Sequence, residues 1–154
     1  MSGPTERLAA LGLALPTVMP PVAAYVPAIR TGPYVYVSGQ LPVVDGKLAA
    51  TGKVGDAVSA QDAAGMARTC ALNALAAAAE AAGGLDAIRR IVKVVGFVAS
   101  APGFNAQPQV INGASELLIE VFGEAGRHAR SAVGVAELPL DAPVEVELIA
   151  EVRG

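Results

Sequence analysis

The chain has 154 residues, a net charge of −3, 53% hydrophobic residues and only 16% charged ones. That length is enough for one domain with a proper core. The acidic balance argues against a nucleic-acid binder that works by neutralising phosphates. With so little surface charge and a mean hydropathy of +0.50, the composition points to a protein that buries extra surface against copies of itself.

Cys70 is the only cysteine and His128 the only histidine, so neither an intrachain disulfide nor a Cys/His zinc site can form within one chain. The reading is a cytoplasmic protein, since an unpaired cysteine fits a reducing compartment. No run of 18 apolar residues is present, so no transmembrane helix is expected. Leu8 to Leu15 looks like a signal-peptide core, but it follows one acid and one base rather than a basic stretch, and it is not read as one.

In chain order, Thr5 to Leu13 predicts a short amphipathic helix, with Thr5 as cap, Leu8, Leu11 and Leu15 on one face, and Pro16 ending it. Residues 1 to about 20 form an N-terminal extension to one domain covering 1–154. Val22 to Ile29 reads as a strand or edge segment carrying Tyr25, interrupted by Pro27. Tyr34 to Gln40 is a second strand rich in β-formers, and Gly39 near its end lets another group approach the backbone closely. Val43 to Leu48 is a hairpin, because Asp45-Gly46 supplies positive φ.

Ser59 with Asp62 forms a capping-box-like start to a helix that runs to about Ala82 and stops at Gly83-Gly84. Its apolar stripe is Ala63, Met66, Ala67, Cys70, Ala74, Ala77 and Ala81, which assigns Met66 and Cys70 to the core. Ile88 to Ser100 holds a strongly apolar strand, expected centrally in the sheet with both faces covered. A further helix runs from about 106–108 to Phe122, with Ile111, Ala114, Leu118 and Val121 on one side and Asn112 off that stripe. Gly123 to Ala129 is loop, and His128 receives no proton-transfer role.

Arg130 to Glu147 reads as two strands around a Leu138–Pro143 turn, in a hairpin-like return. Val144, Val146, Leu148, Ala150 and Val152 alternate with Glu145, Glu147 and Glu151, giving the second strand two distinct faces. Taken singly, Arg130 and Glu145 are ordinary surface residues. Together, an arginine could grip a carboxylate while a glutamate steers a water or proton, provided a neighbouring surface completes the pocket. Two helices on one face of a sheet give a two-layer α+β domain, and the other face needs a partner.

Several stretches, taken together, resemble the YjgF/YER057c/UK114 family, also called Rid. They are Tyr34-Val-Tyr-Val-Ser-Gly-Gln40, Ala71-Leu-Asn-Ala, Ala81-Ala-Gly83, Ile91-Val-Lys93 and Arg130-Ser-Ala-Val-Gly-Val-Ala-Glu-Leu-Pro followed by Val144-Glu-Val-Glu147. Val110 to Ser115 and Val121 to Arg130 are similar to one branch, often labelled endoribonuclease L-PSP or translation inhibitor. The resemblance implies a chorismate-mutase-like α+β fold, with a mixed sheet and two helices packed on one face. It also implies a homotrimer with ligand clefts between subunits. The best-understood members hydrolyse reactive enamines and imines such as 2-aminoacrylate to a keto acid and ammonia, with no cofactor and no metal. Carried over, Arg130 pairs with the substrate carboxylate and Glu145 activates water. Tyr25, Asn112 and the backbone of Gly39 line the cleft. Ala132 stands where deaminases often have Cys, and His128-Ala129 replaces the usual Pro-Ala. The alternatives are a regulatory trimer that binds a small carboxylate without chemistry, and an endoribonuclease.

Overall fold

The computed structural model of the chain describes residues 2–21 and 23–154. Helix α1 (Pro4–Ala10) comes first, then strands β1 (Ala28–Thr31) and β2 (Tyr34–Gln40) and a small hairpin, β3 (Val43–Val44) with β4 (Lys47–Leu48). Helix α2 (Ala60–Ala82), strand β5 (Ile88–Ala99), helix α3 (Gln107–Phe122) and strands β6 (Ala129–Val135) and β7 (Val144–Val152) complete the order. The large strands form one mixed sheet in the order β1-β2-β7-β5-β6. Helices α2 and α3 lie together on one face, so the fold is the two-layer α+β arrangement expected.

Local chemistry sets most boundaries. The Ser59 Oγ accepts the Asp62 amide at 3.0 Å, and Gly83 adopts φ 92° to close α2. Ser59→Ala is expected to cost about 1 kcal/mol, or about 3 °C in Tm for a chain of this size; an unchanged melting curve would show that the cap contributes nothing. Asp45 (φ 51°) and Gly46 (φ 80°) make the expected β3–β4 turn.

Three boundaries differ from the sequence reading. Pro4, with its fixed φ, opens α1 in place of a Thr5 cap, and Thr5 instead donates its amide to Asp86 Oδ1 at 2.9 Å. The helix stops before Leu11, which is exposed, while Leu15 packs against the core from the extended segment that follows. Strand β1 starts only at Ala28, beyond Pro27, so Tyr25 lies in a bend rather than in a strand. Val22, where the strand was expected to begin, lies outside the described residues.

The core lies between the sheet and the two helices. Strand β7 alternates as predicted, with Val144, Val146, Leu148, Ala150 and Val152 buried beneath the helices. The alanines let α2 approach closely, and the stripe extends to Ala71, Leu75, Ala78 and Ala82, while Ala81 is only half-buried. Ile111 of α3 sits directly over Gly96, where β5 has no side chain to obstruct it. Met66 and Cys70 are core residues as read.

The opposite face is bare in a single chain. It carries Ile29, Tyr36, Val133 and the half-buried Val95, Phe97 and Ile149. The expectation that both faces of β5 are covered is therefore not met within one chain, because no helix among the described residues crosses this side. The hairpin-like return of β6 and β7 is also corrected. Strand β6 pairs parallel to β5 alone, and β7 runs antiparallel between β2 and β5. The α3 crossover delivers β6 to the sheet edge, and the 136–143 connection then passes the end of β5. Lys53 braces that connection by bonding the Ala136 carbonyl and pairing with Glu137 at 2.9 Å.

Candidate active site

The five sequence-predicted residues fall into two groups. Arg130 stands beside Val94 of β5, whereas Glu145 stands beside Phe97, three positions further along. Val94 is buried under the helices and Phe97 faces the bare side, so Arg130 and Glu145 project from opposite faces of the sheet. One chain does not bring them together.

Arg130 is held by α3. Its Nη1 donates to Asn112 Oδ1 at 2.8 Å and to Ser115 Oγ at 3.2 Å, and Nη2 donates to the Pro108 carbonyl at 3.4 Å. The Nε–H and the second Nη2 hydrogen have no partner among the described residues, and Arg130 forms no ion pair there. A guanidinium anchored on one edge and open along the other is arranged to grip a carboxylate with two parallel hydrogen bonds. Asn112, expected as a cleft-lining residue, is thus the clamp that orients the arginine.

The second group gathers where β2 meets β7. A register shift between Val37 and Gln40 brings Gly39 against Glu145, so closely that any β-carbon at position 39 would collide with the carboxylate. Gly39 serves this approach rather than a turn: a larger residue there would push the Glu145 carboxylate out of its present position. Tyr25, 53% exposed, lines a small depression together with Gly39. Tyr25 also borders a groove of about 490 Å³ on the bare face, shared with Ile29, Tyr36, Lys93, Val95 and Glu147. Asn73 fixes the loop beyond Gly39 by donating to the carbonyls of Leu41 and Val43, both at 3.0 Å.

Burial raises the Glu145 carboxyl above the usual glutamate value, and the neighbouring Glu147 adds to the shift. The same burial pushes the Cys70 thiol well up, reinforced by Glu145, so Cys70 is no nucleophile. Because Glu145 binds its proton more readily folded than unfolded, it weakens folding as pH rises through the interval between its two pKa values. Glu145→Gln is therefore expected to raise Tm at pH 7 by about 1–2 °C. The gain should vanish below about pH 4, where the unfolded carboxyl is also protonated. Melting curves at the two pH values check this; a gain equal at both would exclude the burial effect.

Two polar residues of the arginine cluster escaped the sequence reading. Ser115 lies three residues after Asn112 on α3, so both face the same way, and His128 precedes Arg130 by two residues. Those spacings were the available signal. His128 Nε2 lies 2.9 Å from Ser115 Oγ, and Nδ1 lies 2.6 Å from the Gly126 carbonyl.

Residues 5–152 match the family described as YjgF/chorismate mutase-like, putative endoribonuclease. The chain belongs to the YjgF family. It is 44% identical over 148 residues to protein TCP17 of Trypanosoma cruzi, covering 96% of this chain and 92% of that protein. Its fold is similar to the crystal structure of Atu1372 from Agrobacterium tumefaciens, a protein of unknown function. The TM-score is 0.90 at 49% identity, over 97% of this chain and 92% of that one. It is also similar to E. coli TdcF with bound serine, at TM-score 0.65 and 29% identity, over 89% and 94% of the two chains. The sheet is mixed, and among the described residues no helix is long and apolar enough to cross a membrane.

Proposed function

We infer that this YjgF chain hydrolyses small reactive enamines and imines of the 2-aminoacrylate kind to a 2-keto acid and ammonia. The observation that carries the reading is Arg130, clamped by Asn112, Ser115 and Pro108 with its outer edge free for a carboxylate. The serine bound to TdcF, a small amino acid with a carboxylate, supports the same ligand class.

The chemistry needs little more. The enamine tautomerises to an imine, a water adds across its carbon–nitrogen double bond, and the tetrahedral adduct collapses to the keto acid with loss of ammonia. Glu145 takes a proton from the attacking water and returns it to the departing nitrogen. A carboxyl whose pKa is raised by burial is better matched to that exchange near neutral pH than an exposed one. No metal or organic cofactor is required. Since Arg130 and Glu145 lie on opposite faces, the site is completed in a homotrimer, where one subunit's arginine edge meets the Gly39–Glu145 rim of the next. The bare apolar face is the surface such an assembly covers. The unpaired, buried Cys70 fits a cytoplasmic protein. RNA cleavage is disfavoured by the net charge of −3.

The test is release of pyruvate and ammonia from enzymatically generated 2-aminoacrylate. Acceleration over the spontaneous rate is expected. A folded protein that gives none would leave a small-carboxylate-binding role in its place.

A further inference from the structure

Gly126, His128, Ser115 and Arg130 form one continuous chain of hydrogen bonds from a backbone carbonyl to the guanidinium. Its direction follows from the end groups. The Gly126 carbonyl can only accept, so His128 Nδ1 carries a hydrogen. In the neutral ring Nε2 is then an acceptor, and Ser115 must donate its hydroxyl hydrogen to it. That turns the Ser115 lone pairs toward Arg130 Nη1, which donates to them. Arg130 is a pure donor, so each group in the chain has one consistent sense.

We propose that His128 is a positioning residue for the Arg130 guanidinium, acting through the Ser115 hydroxyl. The proposal rests on the reading of Arg130 as the carboxylate anchor. Without His128, the Ser115 hydroxyl is free to rotate and to present its hydrogen toward Arg130, a donor facing a donor. The guanidinium then swings on Asn112 and Pro108 alone, and its free Nε–Nη2 edge no longer holds one orientation. Burial, followed by the adjacent Arg130 charge, lowers the His128 pKa against the opposing pull of Gly126, which favours the neutral ring that the relay needs. The other charges at this turn, Arg127 and Glu124, pair with each other at 3.2 Å and are exposed, and α3 offers the ring the uncharged Ser115. His128 itself touches no substrate; it fixes the group that does.

The experiment measures the Kd of pyruvate, the product expected of the proposed reaction, by calorimetry on the full chain. Ser115→Ala and His128→Ala are each expected to weaken binding about 5–10-fold, and Arg130→Ala more than about 100-fold. The double variant should be no weaker than Ser115→Ala alone, because His128 works only through Ser115. His128→Gln, whose side-chain carbonyl can accept from Ser115, should restore most of the affinity. Nitrogen NMR should show the Nδ1–H tautomer in the wild type. Additive losses, a silent His128→Ala, or the Nε2–H tautomer overturn the relay while leaving the anchor intact. Wild-type protein that ignores pyruvate, or Arg130→Ala that binds it normally, overturns the anchor and the relay with it. Melting curves accompany each variant, and a loss of affinity in a protein with a wild-type Tm counts for the proposal.

Discussion

Arg130→Ala is expected to lower kcat/KM on 2-aminoacrylate by about 100-fold or more while leaving the protein folded. Two charge-assisted hydrogen bonds to a carboxylate are worth about 1.5–3 kcal/mol each. Losing both removes about 3 kcal/mol or more, or roughly two powers of ten. The structural cost is small by comparison. Arg130 forms no ion pair among the described residues, and its partner Asn112 is exposed and can turn to water. Arg130→Lys should recover only part of the loss, since an ammonium restores the charge without the planar fork. Steady-state rates of keto-acid release from freshly generated substrate, with Tm as the folding control, decide the matter. Full turnover by the alanine variant would remove Arg130 from the site.

The largest expected effect on stability comes from Gly113→Ala. Gly113 lies on α3 where that helix crosses α2, and a β-carbon there would sit 2.7 Å from the Ala64 carbonyl carbon and nearer still to its oxygen. The obstacle is helix backbone, which cannot rotate away as a side chain can. Alanine gains about 1 kcal/mol of helix propensity over glycine. Overpacking of this kind costs about 1–3 kcal/mol and occasionally more when backbone must shift. With backbone on both sides the cost falls at the upper end, about 3 kcal/mol, so a net loss of about 2 kcal/mol, or about 5 °C in Tm, is expected. Gly65 is the matched control. It is also helical, it is exposed, and nothing lies within 4 Å of the position its β-carbon would take. Gly65→Ala should therefore stabilise by about 0.5–1 kcal/mol. The two thermal shifts should differ in sign. If they agree, helix propensity alone governs both sites and the crossing is not tight.

The sequence by itself determined the features that depend on near neighbours. The period-2 alternation of β7, the Ser59–Asp62 cap, the Asp45-Gly46 hairpin and the glycine stop at Gly83 all appear as read. Each rests on interactions within a few residues, which a short window contains. The order of the elements also implied an uncovered sheet face, because two helices can cover only one side of the sheet, and the structure leaves that face bare in a single chain. The family was legible too, in motifs spread along most of the chain.

The tertiary structure alone decided where those elements went. Nothing in the Arg130–Glu147 stretch says that β5 will insert between its two strands, because that choice is made by the α3 crossover and the pairing of β7 with β2. The consequence is functional. Insertion of β5 puts Arg130 and Glu145 on opposite faces, which turns an apparent single pocket into two half-sites. The demand for glycine at 113 is also tertiary, since it comes from the Ala64 backbone, and so is the close approach of Glu145 to Gly39, both between residues distant in sequence. The same holds for the link from His128 through Ser115 to Arg130, which spans a helix and a strand. Contacts of this kind depend on how packed elements share space, and no local pattern of residues encodes that geometry.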